Sequence, residues 1–162
     1  MSIEAVRAYF DTWGISDRIL EPEHSSATVE LAAQALGCEP ARIAKSLSFL
    51  VGEEAIVIVV SGESKIDNKR YKECFGAKAK MIPFDEVESY IGHAPGGVCP
   101  FALKAGVRVY LDESLKRFRT VYPAAGSGNS AIEMNMEELE KYAMSSGWVD
   151  VCKGWREDEQ SL

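Results

Sequence analysis

Lys45 is the sole charged residue between Arg42 and Glu53, in the run "RIAKSLSFLV", at the mouth of an apolar, β-rich stretch. A lysine placed there either snorkels its ammonium outward or sits at a cleft. A second stretch with chemical potential is "GHAPGGVCPF", Gly92 to Phe101, which packs three glycines, two prolines and one cysteine into ten residues. Glycine allows unusual backbone angles and close approach, and proline stiffens the turn, so this stretch can hardly be helix or strand. In this loop His93 precedes Cys99 by six residues. That spacing permits a Cys–His dyad, but a small apolar thiol buried in a turn accounts for the same cysteine. His24 is the other histidine of the chain.

Most familiar catalytic signatures are missing. There is no GxxxxGK[ST], no GxGxxG after a strand, no HExxH and no GxSxG. The four cysteines, Cys38, Cys74, Cys99 and Cys152, lie 36, 25 and 53 residues apart with no CxxC pair, which predicts free thiols and no metal site. No apolar run reaches the roughly 18 residues of a membrane helix. The first residues, "MSIEAVRAYFDTWG", are acidic and amphipathic, unlike a secretion signal. A cytoplasmic protein is expected, with no membrane partner.

The formal charge of −7 argues against broad nucleic-acid affinity and against DNA as a ligand, yet the charge is unevenly spread. From Lys65 to Arg119 the balance is +4, and the remainder carries −11. The richest part, "SKIDNKRYKECFGAKAK", holds Lys65, Lys69, Arg70, Lys72, Lys78 and Lys80, with Tyr71 and Phe75 able to face a core. Taken alone it reads as the solvated face of an amphipathic helix.

These residues must be positioned by a chain of 162 residues, 46% hydrophobic and 27% charged, the size of one domain. Ile3, Val6, Phe10 and Trp13 form a helical stripe that Gly14 ends, and Thr28 caps "VELAAQAL" before Gly37. Pro40 begins a short helical turn. "SLSFLV" and "AIVIVV", separated by Gly52-Glu53-Glu54, predict a central antiparallel hairpin. Asp67 is a cap for "NKRYKECF", "KMI" reads as a strand, and Asp85 as the cap of a helix to about Ile91. "VRVYLD" and "RTVYPA" are further strands, "AAGSGNS" is a turn, and Asn135 with Glu138 makes a capping box before "MEELEKYAM". Trp148 to Cys152 is expected to close the sheet. The fold class is a single mixed, largely antiparallel α/β domain over 1–152, with a polar tail at 153–162 that frays.

Thr28 before an alanine-rich helix, "LG" at Leu36-Gly37, "IAKSL", a hairpin, "SKIDNKRY", "GHAPGGVCPF", "YLDESL" and "AAGSGNSAIEM" resemble, in that order, the YbaK/ProX family of aminoacyl-tRNA editing domains. The likeness runs from about residue 3 to 152. It implies a freestanding hydrolase, similar to the insertion domain of bacterial prolyl-tRNA synthetases, that removes a wrong amino acid from a mischarged tRNA. Lys45 falls on the family's lysine, close to the 3′-terminal adenosine. Gly96, Gly97, Val98, Cys99 and Pro100 match its GxxxP loop, whose carbonyls would accept hydrogen bonds from the substrate ammonium and an attacking water. Lys45, Gly96, Gly97 and Pro100 are then expected to act in catalysis, with no side-chain nucleophile and no cofactor. Thr28, Ser46, Val98, Cys99, Gly126, Ser127, Asn129 and Ser130 are expected to line the substrate pocket. In some members the glycine-rich stretch carries a serine early and an aspartate late, where Ala124 and Ala131 stand here. The resemblance also turns Lys65, Lys69, Arg70 and Lys72 into candidate contacts to tRNA phosphates, with a synthetase as a further possible partner. Two alternatives remain open: a tRNA-binding module of the same fold without turnover, and a Cys99-dependent hydrolase of small esters or amides.

Overall fold

The computed structural model describes residues 2–23 and 28–156. In chain order its regular elements are α1 (Ser2–Asp11), α2 (Val29–Leu36), β1 (Ile43–Val51), β2 (Glu54–Ser61), β3 (Lys65–Ile66), α3 (Asn68–Phe75), α4 (Val87–Ile91), β4 (Arg108–Asp112), β5 (Thr120–Pro123), β6 (Met134–Asn135), α5 (Met136–Tyr142), β7 (Gly147–Val149) and β8 (Cys152–Lys153). Several boundaries follow from local chemistry. Thr28 accepts a hydrogen bond from Leu31 N at the start of α2, and Asp67 accepts from Lys69 N and Arg70 N at the start of α3. Asn135 and Glu138 close a full capping box on α5. Gly37 and Gly76 end α2 and α3 in the left-handed conformation that glycine enters without strain.

Six strands form one sheet in the order β6-β5-β1-β2-β4-β7, and β3 pairs with β8 in a separate ribbon. The hairpin β1–β2 is its spine, in antiparallel register from Ala44↔Ser61 to Val51↔Glu54. The mixed sheet matches expectation, but the joints β1–β5, β2–β4 and β4–β7 are parallel, each short, and the sequence had shown only the hairpin. Parallel neighbours come from distant chain segments and leave no turn signature.

Side chains of β2 alternate between two cores, as a strand covered on both faces requires. Val57 and Val59 pack with Val6, Phe10, Ile91 and Leu139, while Ile56, Ile58 and Val60 pack with Phe49, Tyr71 and Val151. Among the described residues no helix is long and apolar enough to cross a membrane.

Three local expectations are corrected. "KMI" makes a single bridge, Phe49↔Met81, because Pro83 stops the ladder. Asp85 does not cap α4; it lies in a 3-10 turn, Phe84–Glu86, that runs straight into the helix. Order also continues past Cys152: Lys153 pairs with Lys65, and Arg117 donates to the Trp155 carbonyl at 3.1 Å. The rest of the tail, 157–162, lies outside the described residues.

Candidate functional site: an open strand edge

Strand β1 has a complete neighbour on one side and an incomplete one on the other. On the second side β5 pairs only at Ile43↔Tyr122 and Ala44↔Pro123. Further along, Ile82 N–H donates to Ser48 O at 3.1 Å and Leu50 N–H donates to Lys80 O at 2.9 Å. Ser48 and Leu50 thus turn their backbone groups away from β2. By the two-residue alternation of a strand Ser46 does the same, into the gap between these two neighbours. A pocket of about 460 Å³ opens at this gap.

Its walls come from the strands and from four other parts of the chain. Val29, Ala32 and Leu36 of α2 supply an apolar side with Thr28 at its end; Met81, Phe84 and Val87 supply another; Pro95, Gly96 and Val98 a third; Ala124, Ser127, Ser130 and Ala131 a fourth. From the strands come Ile43, Ala44, Lys45, Ser46, Ser48 and Tyr122. Among the described residues the lining contains no Asp, Glu, His or Cys.

Lys45 is half-buried, and its Nζ donates to the Ser64 carbonyl at 2.7 Å. Burial pulls its pKa below the ordinary value, and the charge of Lys65 acts in the same sense. An ammonium has three donors, so the bond to Ser64 orients the group without using it up. Both readings open to Lys45 are thereby resolved toward the cleft. Ser46 Oγ is buried without a hydrogen-bond partner. Thr28 is at once helix cap and pocket wall.

The loop from Gly92 to Phe101 divides its residues between pocket and core. Gly96, at φ +90°, and Val98 face the pocket. Gly97 lies outside the lining, but a Cβ there would sit 2.7 Å from Gly126 O, so only glycine lets this loop and the 124–131 turn come together. That contact is also where the structure puts Gly126. Pro100 is buried and outside the lining.

Cys99 is fully buried, its Sγ 3.5 Å from His93 Nε2. The same nitrogen lies 2.6 Å from the Phe101 carbonyl, which can only accept, so it carries a proton and donates. A nitrogen so engaged is not a base for the thiol. Burial pushes the Cys99 thiol up to about 12. Cys99 is therefore a packing residue rather than a pocket one. His24, the other possible partner of a thiol, lies outside the described residues.

In the glycine-serine turn, Ser127 N–H and Ser127 Oγ both donate to Ser130 Oγ, at 3.1 and 2.7 Å, which fixes two hydroxyls at the pocket wall. Asn129 instead donates to the Pro22 carbonyl at 3.3 Å and lines nothing. Ala124 and Ala131 form a bridge to each other and present methyl groups to the pocket. The basic set is dispersed. Lys65 lies on β3 opposite Lys153, Lys69 and Lys72 are exposed on α3, and Arg70 is bonded to Asp150 at 3.1 Å. The sequence reading missed Met81, Phe84, Ser48, Tyr122 and the apolar wall of α2. Proline beside an aromatic in "MIPFDE" was the available signal for Phe84.

Among the described residues no cluster of His, Cys, Asp and Glu could hold a metal ion. The arrangement offers one oriented cation, several fixed hydroxyls, an unpaired strand edge and a glycine loop. Such a site can bind and polarise an ester by positioning and electrostatics.

The model of the "Aminoacyl-tRNA editing domain" family matches residues 23–142. The uncharacterized protein YwhH of Bacillus subtilis (strain 168) is 51% identical over 156 residues, 96% of this chain and 99% of that one. A proline–tRNA ligase of Limosilactobacillus fermentum is 30% identical over 95 residues, 55% of this chain but only 17% of the ligase. A crystal structure of a candidate trans-editing enzyme for prolyl tRNA synthetase superposes with a TM-score of 0.84 at 28% identity, covering 94% of this chain and 98% of that one.

Proposed function

The chain belongs to the aminoacyl-tRNA editing domain family, and from that premise we propose that it is a deacylase acting in trans on a mischarged tRNA, a proline tRNA carrying a small noncognate amino acid. The observation that carries the reading is Lys45: a half-buried ammonium, oriented by Ser64 O, in a pocket whose described lining has no carboxylate, imidazole or thiol. The pocket volume of about 460 Å³ falls within the range of small-molecule sites and suits an aminoacyl group with its nucleoside.

In this mechanism the ammonium of Lys45 holds the ester or its adjoining phosphate. It stabilises the negative charge that develops on the ester oxygen as water adds. Backbone groups at Gly96 and Val98 and at the free edge of Ser46 hold the substrate ammonium and the water. The neighbouring ribose hydroxyl assists as the carbon–oxygen ester bond breaks. The products are the free amino acid and the tRNA with its terminal hydroxyl restored. An aminoacyl ester is already reactive, so orientation supplies much of the acceleration. The methyl groups of Ala124 and Ala131 limit the amino-acid end to small side chains. Delivery by a synthetase is part of the proposal, as is action in the cytoplasm.

The test is deacylation of proline tRNA charged with alanine, cysteine or serine, and of other tRNAs charged with serine or threonine. Hydrolysis of a subset by wild type, lost in Lys45→Ala, supports the reading and names the substrate. Tight tRNA binding with no hydrolysis of any member overturns it in favour of a binding module. A Cys99 nucleophile is disfavoured by the sealed thiol, and an enzyme inactivated by Cys99→Ala while still folded would restore it.

A further inference from the structure

Phe84 is 79% exposed and Met81 58%, although both stand in the wall of the pocket. Neither lies on a loose loop. Between and beside them Ile82 and Val87 are only 4% and 6% exposed, Ile82 N–H is bonded to Ser48 O, and Met81 bridges to Phe49. Pro83 immediately precedes the ring. The backbone is thus tied on both sides of a phenyl ring that is held out in water, where an aromatic forgoes the burial that its neighbours make. Asp85, Glu86 and Glu88, which follow the ring in the chain, are exposed, as is Lys80 before Met81.

We propose that Phe84, with Met81 on the same wall, is a stacking platform for the terminal base of the tRNA acceptor end. The proposal rests on the pocket receiving an aminoacylated 3′ end. The ester to be cut is carried by the ribose of the last nucleoside, so an ester held at Lys45 places its own base one sugar ring away. The pocket then divides its labour by charge. Lys45 takes the ester or phosphate, and the uncharged aromatic rim takes the base, which every nucleobase can satisfy through its π-face. A carboxylate beside the ring can also accept from the exocyclic amine of adenine.

The experiment uses the full chain and an uncharged RNA hairpin ending in CCA, with 2-aminopurine in place of the terminal adenine, whose fluorescence falls on stacking. Wild type is expected to quench the probe. Phe84→Ala should lose the quench and bind about tenfold more weakly, the lower range of one base–aromatic stack. Phe84→Trp should keep both, and Phe84→Leu, equally apolar but unable to stack, should behave as Phe84→Ala. A hairpin with an abasic 3′ end should bind all of these variants equally. The platform is overturned if Phe84→Ala binds the CCA hairpin as wild type does, or if the abasic hairpin shows the same loss. It is also overturned if sedimentation shows a dimer that Phe84→Ala dissociates, since a second copy would then cover the ring. Failure of the hydrolase reading is separate: Phe84-dependent quenching without deacylation of any charged tRNA leaves the platform standing, and deacylation with an unchanged KM in Phe84→Ala removes the platform alone.

Discussion

Strands β1 and β2 are adjacent, similar in composition and paired along their length, yet one is sealed and the other is the site. In β2 every residue after Glu54 is buried, because β1 and β4 flank it and a core covers each face. In β1, Lys45, Ser46 and Leu47 are half-open, since β5 leaves after Ala44 and the 80–82 segment arrives only at Ser48. The difference is one missing neighbour over a few residues. It shows how this fold makes a binding site without a dedicated domain: it lets a central strand run briefly without a partner and surrounds the gap with loops.

The comparison can be broken most violently in β2. Ile58→Asp puts a charge among Phe49 and Tyr71 with no partner, a cost of more than about 4 kcal/mol against a total stability of about 5–15 kcal/mol. Circular dichroism should show no cooperative folding. The matching change in β1, Lys45→Met, keeps the volume and should leave the fold intact while deacylation falls by about 100-fold or more, measured as kcat/KM.

Gly97→Ala tests the wall of the gap. Its Cβ would meet Gly126 O at 2.7 Å, so the Gly96–Pro100 loop or the 124–131 turn must move. A displacement of this kind costs about 10- to 100-fold in kcat/KM, with a lower Tm in the same preparation.

A milder probe is pH. Burial lowers the pKa of Lys45 in the fold below the ordinary value of 10.5, so between these two values the unfolded chain binds more protons than the folded one. Stability contributed at this position therefore rises with pH through that window. Wild type should gain stability relative to Lys45→Met in chemical denaturation as the medium becomes alkaline. Activity runs the other way, because the ammonium is lost: background-corrected deacylation should decline on an alkaline limb that begins below 10.5 and is absent in the variant. The smallest effect on catalysis is expected for Cys99→Ala. It should cost about 1–2 kcal/mol in stability from the cavity left in the core, with kcat/KM unchanged and no inactivation by iodoacetamide in wild type.

How far the site was legible depends on which atoms carry it. Lys45 was visible because a lone cation in an apolar run is a local anomaly, and the cap residues Thr28, Asp67 and Asn135 were visible because a cap bonds within three residues of itself. Gly97 could be named but its reason could not, since the atom that excludes a Cβ belongs to Gly126. Cys99 and Gly96 are three residues apart in one loop and have opposite fates, one in the core and one in the pocket, and no pattern in the loop distinguishes them. The basic run looked uniform, but the partner that withdraws Arg70 from the free cations, Asp150, lies 80 residues away.

By itself the sequence determined the caps at Thr28, Asp67 and Asn135 with the helices they begin, the central hairpin, the glycine loop and the kinship with editing domains, because each is written in residues close together along the chain. Only the tertiary structure decided that β5 departs at Ala44, that Ser64 O receives Lys45, and that Phe84 is left at the rim. Those outcomes depend on which distant segments meet, and strand pairing across the chain is set by the packing of both cores together rather than by any local preference.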